Sequence, residues 1–245
     1  MNQMAHGFLD QIMNGTTPSG TTQSQTAQND WGISNTLSSP KALAVGGVVG
    51  GLLGMFLAGK KPKKLAKSAL KIGGVALVGG LAYKAWRDWS DKKKPTSNVD
   101  LDDVKVPMGT VFVPSTDPEK EHLGRTLIRA MVTAAKADGQ ITDEERRRIC
   151  EFFEQQNMPA GDRVWLKNEL RKPIDIDAVA RGATCPEVAA EIYMASLLAI
   201  DPDGRAERGY LQLLASQLRL DLDLVDHLHA QLRGRESSPL LMAAE

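Results

Sequence analysis

"CPEVAAEIYMASLLAI", residues 185–200, is the stretch on which the fold turns. Beyond Glu191 it carries no charge, and its apolar side chains run most of the way round a helical wheel. A helix without a polar face needs neighbours on every side, so this one is expected at the centre of a helical bundle. Pro186 favours a helix start, and Thr184 with Glu187 has capping-box spacing across it.

The neighbours can be read outward in both directions. Start and stop signals predict helices near 118–137, 143–156, 160–171, 176–181, 205–218 and 222–233, besides the central one. Asp117 is expected to cap the first of them with Pro118 at the first helical position, and Thr142 with Glu145 forms another capping box. Leu123, Leu127, Met131, Leu211, Leu214, Leu218, Leu224 and Leu228 recur at helical spacing and should pack around 185–200. The outcome is an all-α bundle of about seven helices over 117–235, followed by a tail at 236–245.

Two turns inside this bundle are acidic. "AKADGQITDEE" (135–145) and "LAIDPDGRAERGY" (198–210) each follow an apolar helix, pass through Asp-Gly and open a helix containing Glu. Neither is an EF-hand loop, because Ala134 and Lys136 in the first turn, and Ala199 and Tyr210 in the second, stand at ligand positions. Ordinary helix corners, with Gly139 as a left-handed C-cap, explain Gly139, Thr142 and Glu145. They leave Asp138 and Asp201 at helix C-termini, where the macrodipole disfavours a carboxylate by about 0.3–1 kcal/mol. A bound calcium, magnesium or manganese ion would reverse that penalty, so both readings stand.

Upstream the chain changes character. Residues 1–40 form a polar N-terminal tail, with a short amphipathic helix at Met4, Phe8 and Ile12 followed by a Ser/Thr/Gln/Asn-rich tether. Residues 41–90 are a Gly-rich membrane-anchor region with a basic loop, and 91–116, with Pro95, Pro107 and Pro114, read as a linker in which "TVFVP" docks locally. The uncharged run 42–59 would rise about 27 Å as a helix, close to the roughly 30 Å hydrocarbon core. Ala42, Gly46, Gly50, Gly54 and Ala58 recur every four residues, a stripe that suits helix–helix self-association. A second run, 69–86, has Ala69, Gly73, Ala76 and Gly80 on one face; it is expected to be re-entrant or interfacial rather than a full second span, with Lys84 snorkelling and Tyr83, Trp86 and Trp89 at the interface. "GMFLAGKK" from Gly54 resembles a phosphate loop but has Lys61 where a magnesium-holding Ser or Thr belongs.

Charge follows the same divisions. Residues 1–40 carry −2, residues 41–94 hold 12 Lys or Arg against two acids, and 95–245 hold 18 against 26. Lys60, Lys61, Lys63, Lys64 and Lys67 lie beside apolar runs, so anionic lipid headgroups, not nucleic acid, are their expected partner. By the positive-inside rule this loop is cytoplasmic. Cys150 and Cys185, the only cysteines, have no metal-ligand spacing, and no cleaved signal is expected. His227 and His229 are two apart on a helix and read as surface residues, Cys150 as an inert core thiol, and no nucleophile or zinc-protease motif occurs. The chain is therefore not expected to be an enzyme.

"LKIGGVALVGGLAYKAW", "LIRAMVTAAKADGQITDEE" and "SLLAIDPDGRAERGYLQLLA", together with the Gly-rich run, resemble the YebE-type bacterial inner-membrane proteins, whose C-terminal part is TerB-like (tellurite-resistance protein B). The resemblance implies two related helical halves and a divalent-cation site at Asp138, Asp143 and Glu145 in one half and Asp201, Asp203 and Glu207 in the other. With the charge layout and the acidic turns, the leading expectation is a bacterial inner-membrane protein whose cytoplasmic C-terminal domain acts as a binding or scaffold module for an unidentified protein in envelope or stress physiology. A cation sensor and an oligomerising, membrane-perturbing protein are the alternatives.

Overall fold

The computed structural model describes residues 49–53, 74–95, 106, 109–137, 139, 141–155, 160–200 and 204–233, without the side chains of 145, 148, 152, 153 and 155. All fall within one compact unit, 32–245. The described residues are helical apart from short turns and one isolated bridge between Thr110 and Val113. The helices are α1 (Gly74–Ser90), α2 (Asp117–Ala134), α3 (Asp143–Gln155), α4 (Ala160–Arg171), α5 (Ile176–Ala180), α6 (Pro186–Ala199), α7 (Arg205–Gln217) and α8 (Leu222–Arg233).

The bundle is organised around α6. Every residue from Val188 to Ala199 is buried, as expected of a helix apolar all round. Helix α2 lies along it, α1 and α8 pair with each other beside it, and α5 and α7 pack against it and against each other. The eight predicted core residues are all buried.

Helix α1 overturns part of the sequence reading. Leu77, Val78, Leu81, Ala82 and Ala85 are fully buried or nearly so, against α6 and α8 rather than lipid. Tyr83 meets Phe112 edge-on at 5.5 Å, Trp86 and Trp89 pack at 5.1 Å, and Lys84 pairs with the buried Asp88 at 2.6 Å. An amphipathic interfacial helix would leave its apolar face open; here that face is covered by the bundle, which therefore begins before 117. The five described residues of the first run, 49–53, are helical, and Val49, Leu52 and Leu53 join the same core. Backbone meets backbone there: a Cβ on Gly74 would lie 2.6 Å from the Cα of Gly50. The close approach is made at Gly74; Ala69 and Gly73 of the stripe lie outside the described residues. Among the described residues no helix is long and apolar enough to cross a membrane. The rest of the 42–59 run, including Gly46 and Gly54, and the lysines of the basic loop lie outside the described residues.

Several local expectations shift by one residue. Helix α2 is capped by Thr116, not Asp117, and the Thr116 hydroxyl donates to Glu119 at 2.6 Å. Helix α6 is capped by Cys185, not Thr184. Gly139 has φ 156°, far from the αL value of about +57°, and α2 instead unwinds through short bonds from Lys136 N–H to Thr133 O and Ala137 N–H to Ala134 O. True αL ends occur where no glycine signals them. At Arg219 and Lys92, both with φ 54°, Leu220 N–H reaches Ala215 O and Lys93 N–H reaches Asp88 O, the Schellman pattern.

Of the two histidines expected at the surface, His227 is buried and His229 half-buried. His227 bonds the carbonyls of Asp223 at 2.6 Å and Lys93 at 2.9 Å, tying the end of α1 to α8. His229 meets the Tyr193 hydroxyl at 2.9 Å.

Candidate functional site

The acids that the sequence singled out are not drawn together. Asp143 is exposed and accepts from Arg146 at 2.6 Å. Glu207, three residues after the N-cap Gly204, folds its carboxylate back over that glycine, where a side chain at 204 would collide with it. Both therefore do helix-start work, the geometry of ordinary corners. Asp138, Asp201, Asp203 and the Glu145 side chain lie outside the described residues. Among the described residues no cluster of three or more His, Cys, Asp or Glu is placed to hold a metal.

A groove instead forms where α2 passes α4, α5 and the start of α6. Its polar end is built on Glu169, a residue of α4 only 4 % exposed. The Arg129 guanidinium of α2 donates from Nε to one carboxylate oxygen at 2.8 Å, and Lys172 donates to the other at 2.7 Å. Burial alone would raise the Glu169 pKa, but those two cationic hydrogen bonds hold it below the usual carboxylate range. Beneath them Lys136, 6 % exposed, donates to the carbonyls of Glu169 at 3.0 Å and Lys172 at 2.7 Å. It caps the C-terminal end of α4, where a cation suits both the unpaired carbonyls and the macrodipole. Desolvation pulls its pKa down, partly offset by the Glu169 charge.

The polar cavity encloses about 550 Å³ and is also lined by Arg181, Asp175 and Thr133. An apolar cavity of about 440 Å³ adjoins it, lined by Val111, Pro114, Pro118, Leu123 and Val188. The two share His122, Thr126, Gly182 and Thr184, so they form one continuous groove. Arg125 braces the far side of α2 through Asp162 at 2.8 Å and Glu121 at 2.9 Å, with Trp165 stacked under its guanidinium at 5.6 Å.

Sequence reasoning missed this groove. Lys136 was read only as a flaw in a calcium loop, and nothing local pairs Arg129 with a residue 40 positions away. The "AKADG" turn does carry a signal: a lysine two residues past a helix end, flanked by alanines, is positioned to reach into a neighbouring helix terminus.

The profile of a family described as "Protein of unknown function (DUF533)", a TerB-like family, matches residues 42–232. The chain belongs to this family. It is also similar to a Yersinia enterocolitica protein described as "Uncharacterized protein in ampR 5'region", at 30% identity over 112 residues, which covers 46% of this chain and 81% of that one. No solved structure matches the chain. The family match begins at 42 and so takes in α1, which agrees with a bundle that includes this helix.

Proposed function

We propose that this DUF533 chain is a non-catalytic docking module whose working surface is the groove between α2 and the 172–184 segment. The observation that carries this reading is the buried Glu169 carboxylate paired with the partly exposed Arg129 and Lys172 and floored by the buried Lys136: it holds charged side chains at the base of an open groove with an apolar extension. Nothing in it resembles an activated nucleophile. Burial pushes the Cys150 and Cys185 thiols up, the opposite of what thiolate chemistry requires.

The module works, in the YebE-type manner, at the cytoplasmic face of a bacterial inner membrane. Lys60, Lys61, Lys63, Lys64 and Lys67 meet anionic headgroups there, a form of attachment that does not need the second Gly-rich run to cross. Flotation of the full chain with vesicles checks it: binding to phosphatidylglycerol vesicles, lost when the five lysines become Gln, is expected. Equal binding by that variant would remove the lipid role of the loop.

The docking reading is tested with photo-cross-linkers placed at Val111 and Arg181 in bacteria making the full chain. The same discrete adduct from both positions, and none from the exposed control Leu222, is the expected outcome. Adducts that are identical at all three positions, or absent at both groove positions, would end this reading. A cation-dependent rise in thermal midpoint, abolished by Asp138→Asn with Asp203→Asn, would instead favour a cation sensor.

A further inference from the structure

The lining of the groove carries a charge excess that the protein itself does not neutralise. Among the described residues Arg129, Lys136, Lys172 and Arg181 face two carboxylates at the polar end, Glu169 and Asp175, and Glu119 adds a third in the apolar extension, where it accepts from the Thr116 hydroxyl. Glu169 is already spent on Arg129 Nε and Lys172, and Arg181 reaches Asp175 only at 3.9 Å on the surface. Among the described residues the Nη groups of Arg129 have no protein partner, and the side chain is 32% exposed, so its planar fork is open to solvent. Such a fork matches a carboxylate with two parallel hydrogen bonds.

We infer that the groove takes a protein segment carrying a carboxylate side chain next to an apolar one. The carboxylate sits at Arg129, Lys136 and Lys172, and the apolar side chain enters the cavity of Val111, Leu123 and Val188. This rests on the docking reading above and adds the chemistry of the partner. Lys136 donates only to carbonyl oxygens, and the Glu169 carboxylate that offsets part of its charge is shared with Arg129 and Lys172, so an incoming anion meets a net positive floor. The cationic floor is recessed: Lys136 is 6% exposed, reachable by a side chain on an extended strand of a partner but not by the flat face of a bilayer. Free phosphate would use the polar end and leave the apolar cavity of about 440 Å³ unfilled.

The test is fluorescence anisotropy of the full chain with a labelled, end-capped peptide Ser-Leu-Leu-Glu-Glu-Ser. Companion peptides replace both Glu by Gln or both Leu by Ser. The acidic, apolar peptide is expected to bind at least about tenfold more tightly than either companion, a difference of roughly 1.4 kcal/mol, and to weaken as salt rises. Arg181→Glu and Val111→Asp change side chains that are exposed, 70% and 44%, and should leave the circular dichroism spectrum intact while each weakens binding about tenfold. Equal binding of the Gln peptide, wild-type binding by both variants, or displacement by millimolar inorganic phosphate would overturn the inference. If the peptide fails while cross-links at Val111 and Arg181 persist, the docking surface stands and its acidic partner falls.

Discussion

Arg219 and Lys92 show how much a single backbone angle decides. Each ends a helix in the αL region, where a Cβ costs about 1–2 kcal/mol, yet each closes a complete Schellman motif. Arg219→Gly should raise stability by about 0.5–1 kcal/mol in urea unfolding, because glycine relieves the Cβ clash and loses only part of the gain to unfolded-chain entropy. Gly79 has the opposite logic. A Cβ there would press on the Phe112 carbonyl and come within 3.0 Å of Glu191 Oε1, so Gly79→Ala should cost about 1–3 kcal/mol by the same measurement. Neither effect is visible in residue type alone: the sequence marks glycines, but not which of them touches another backbone.

At the scale of the element, α6 holds a contradiction. Its sequence reads as apolar after Glu191, and Glu191 itself is fully buried with neither carboxylate oxygen hydrogen-bonded. Burial pushes its pKa well above the ordinary 4.5. A carboxyl with a raised folded-state pKa contributes stability that is fully present below the unfolded pKa and is lost as pH rises toward the folded one. Wild-type stability should therefore decline from about pH 4.5 upward. Glu191→Gln should flatten that slope and be the more stable form at neutral pH, as followed by thermal melts at pH 4.5 and 7.5; parallel slopes for the two proteins would show that another group sets the trend. Glu169 on α4 is also buried, less deeply, and its two cationic partners reverse the sign, so its contribution is lost as pH falls below the carboxylate range. Two buried glutamates thus pull the acid limb in opposite directions, and only their neighbours distinguish them.

For the whole molecule the decisive fact is that α1 belongs to the bundle. It covers one side of α6 and α8 with Leu77, Val78, Leu81 and Ala85, and His227 ties its C-terminal end to α8 through Lys93. A fragment starting at residue 117 would expose that face, whereas one starting at 74 retains it. The shorter fragment should bind a hydrophobic dye and melt without a cooperative transition, and the longer one should melt cooperatively. Equal, cooperative melts would mean that α1 is an accessory. His227→Ala should lower the stability of the full chain by about 1–3 kcal/mol, the cost of removing the buried imidazole that ties the Lys93 carbonyl to α8.

What the sequence determined by itself was the helical architecture from 117 onward. Caps, proline starts and apolar periodicity act within a few residues, so helix ends such as 143, 171 and 233 could be read directly and the central place of 185–200 followed from its missing polar face. What tertiary structure decided was which surface the apolar residues of α1 cover and which charges meet. An apolar helix rich in glycine satisfies a bilayer or a protein core equally well, and only the presence of α6 and α8 beside it chooses. The groove is of the same kind: Arg129, Lys136, Glu169 and Lys172 are spread over 44 positions, and the fold alone brings opposite charges within hydrogen-bond distance around the buried Glu169 carboxylate.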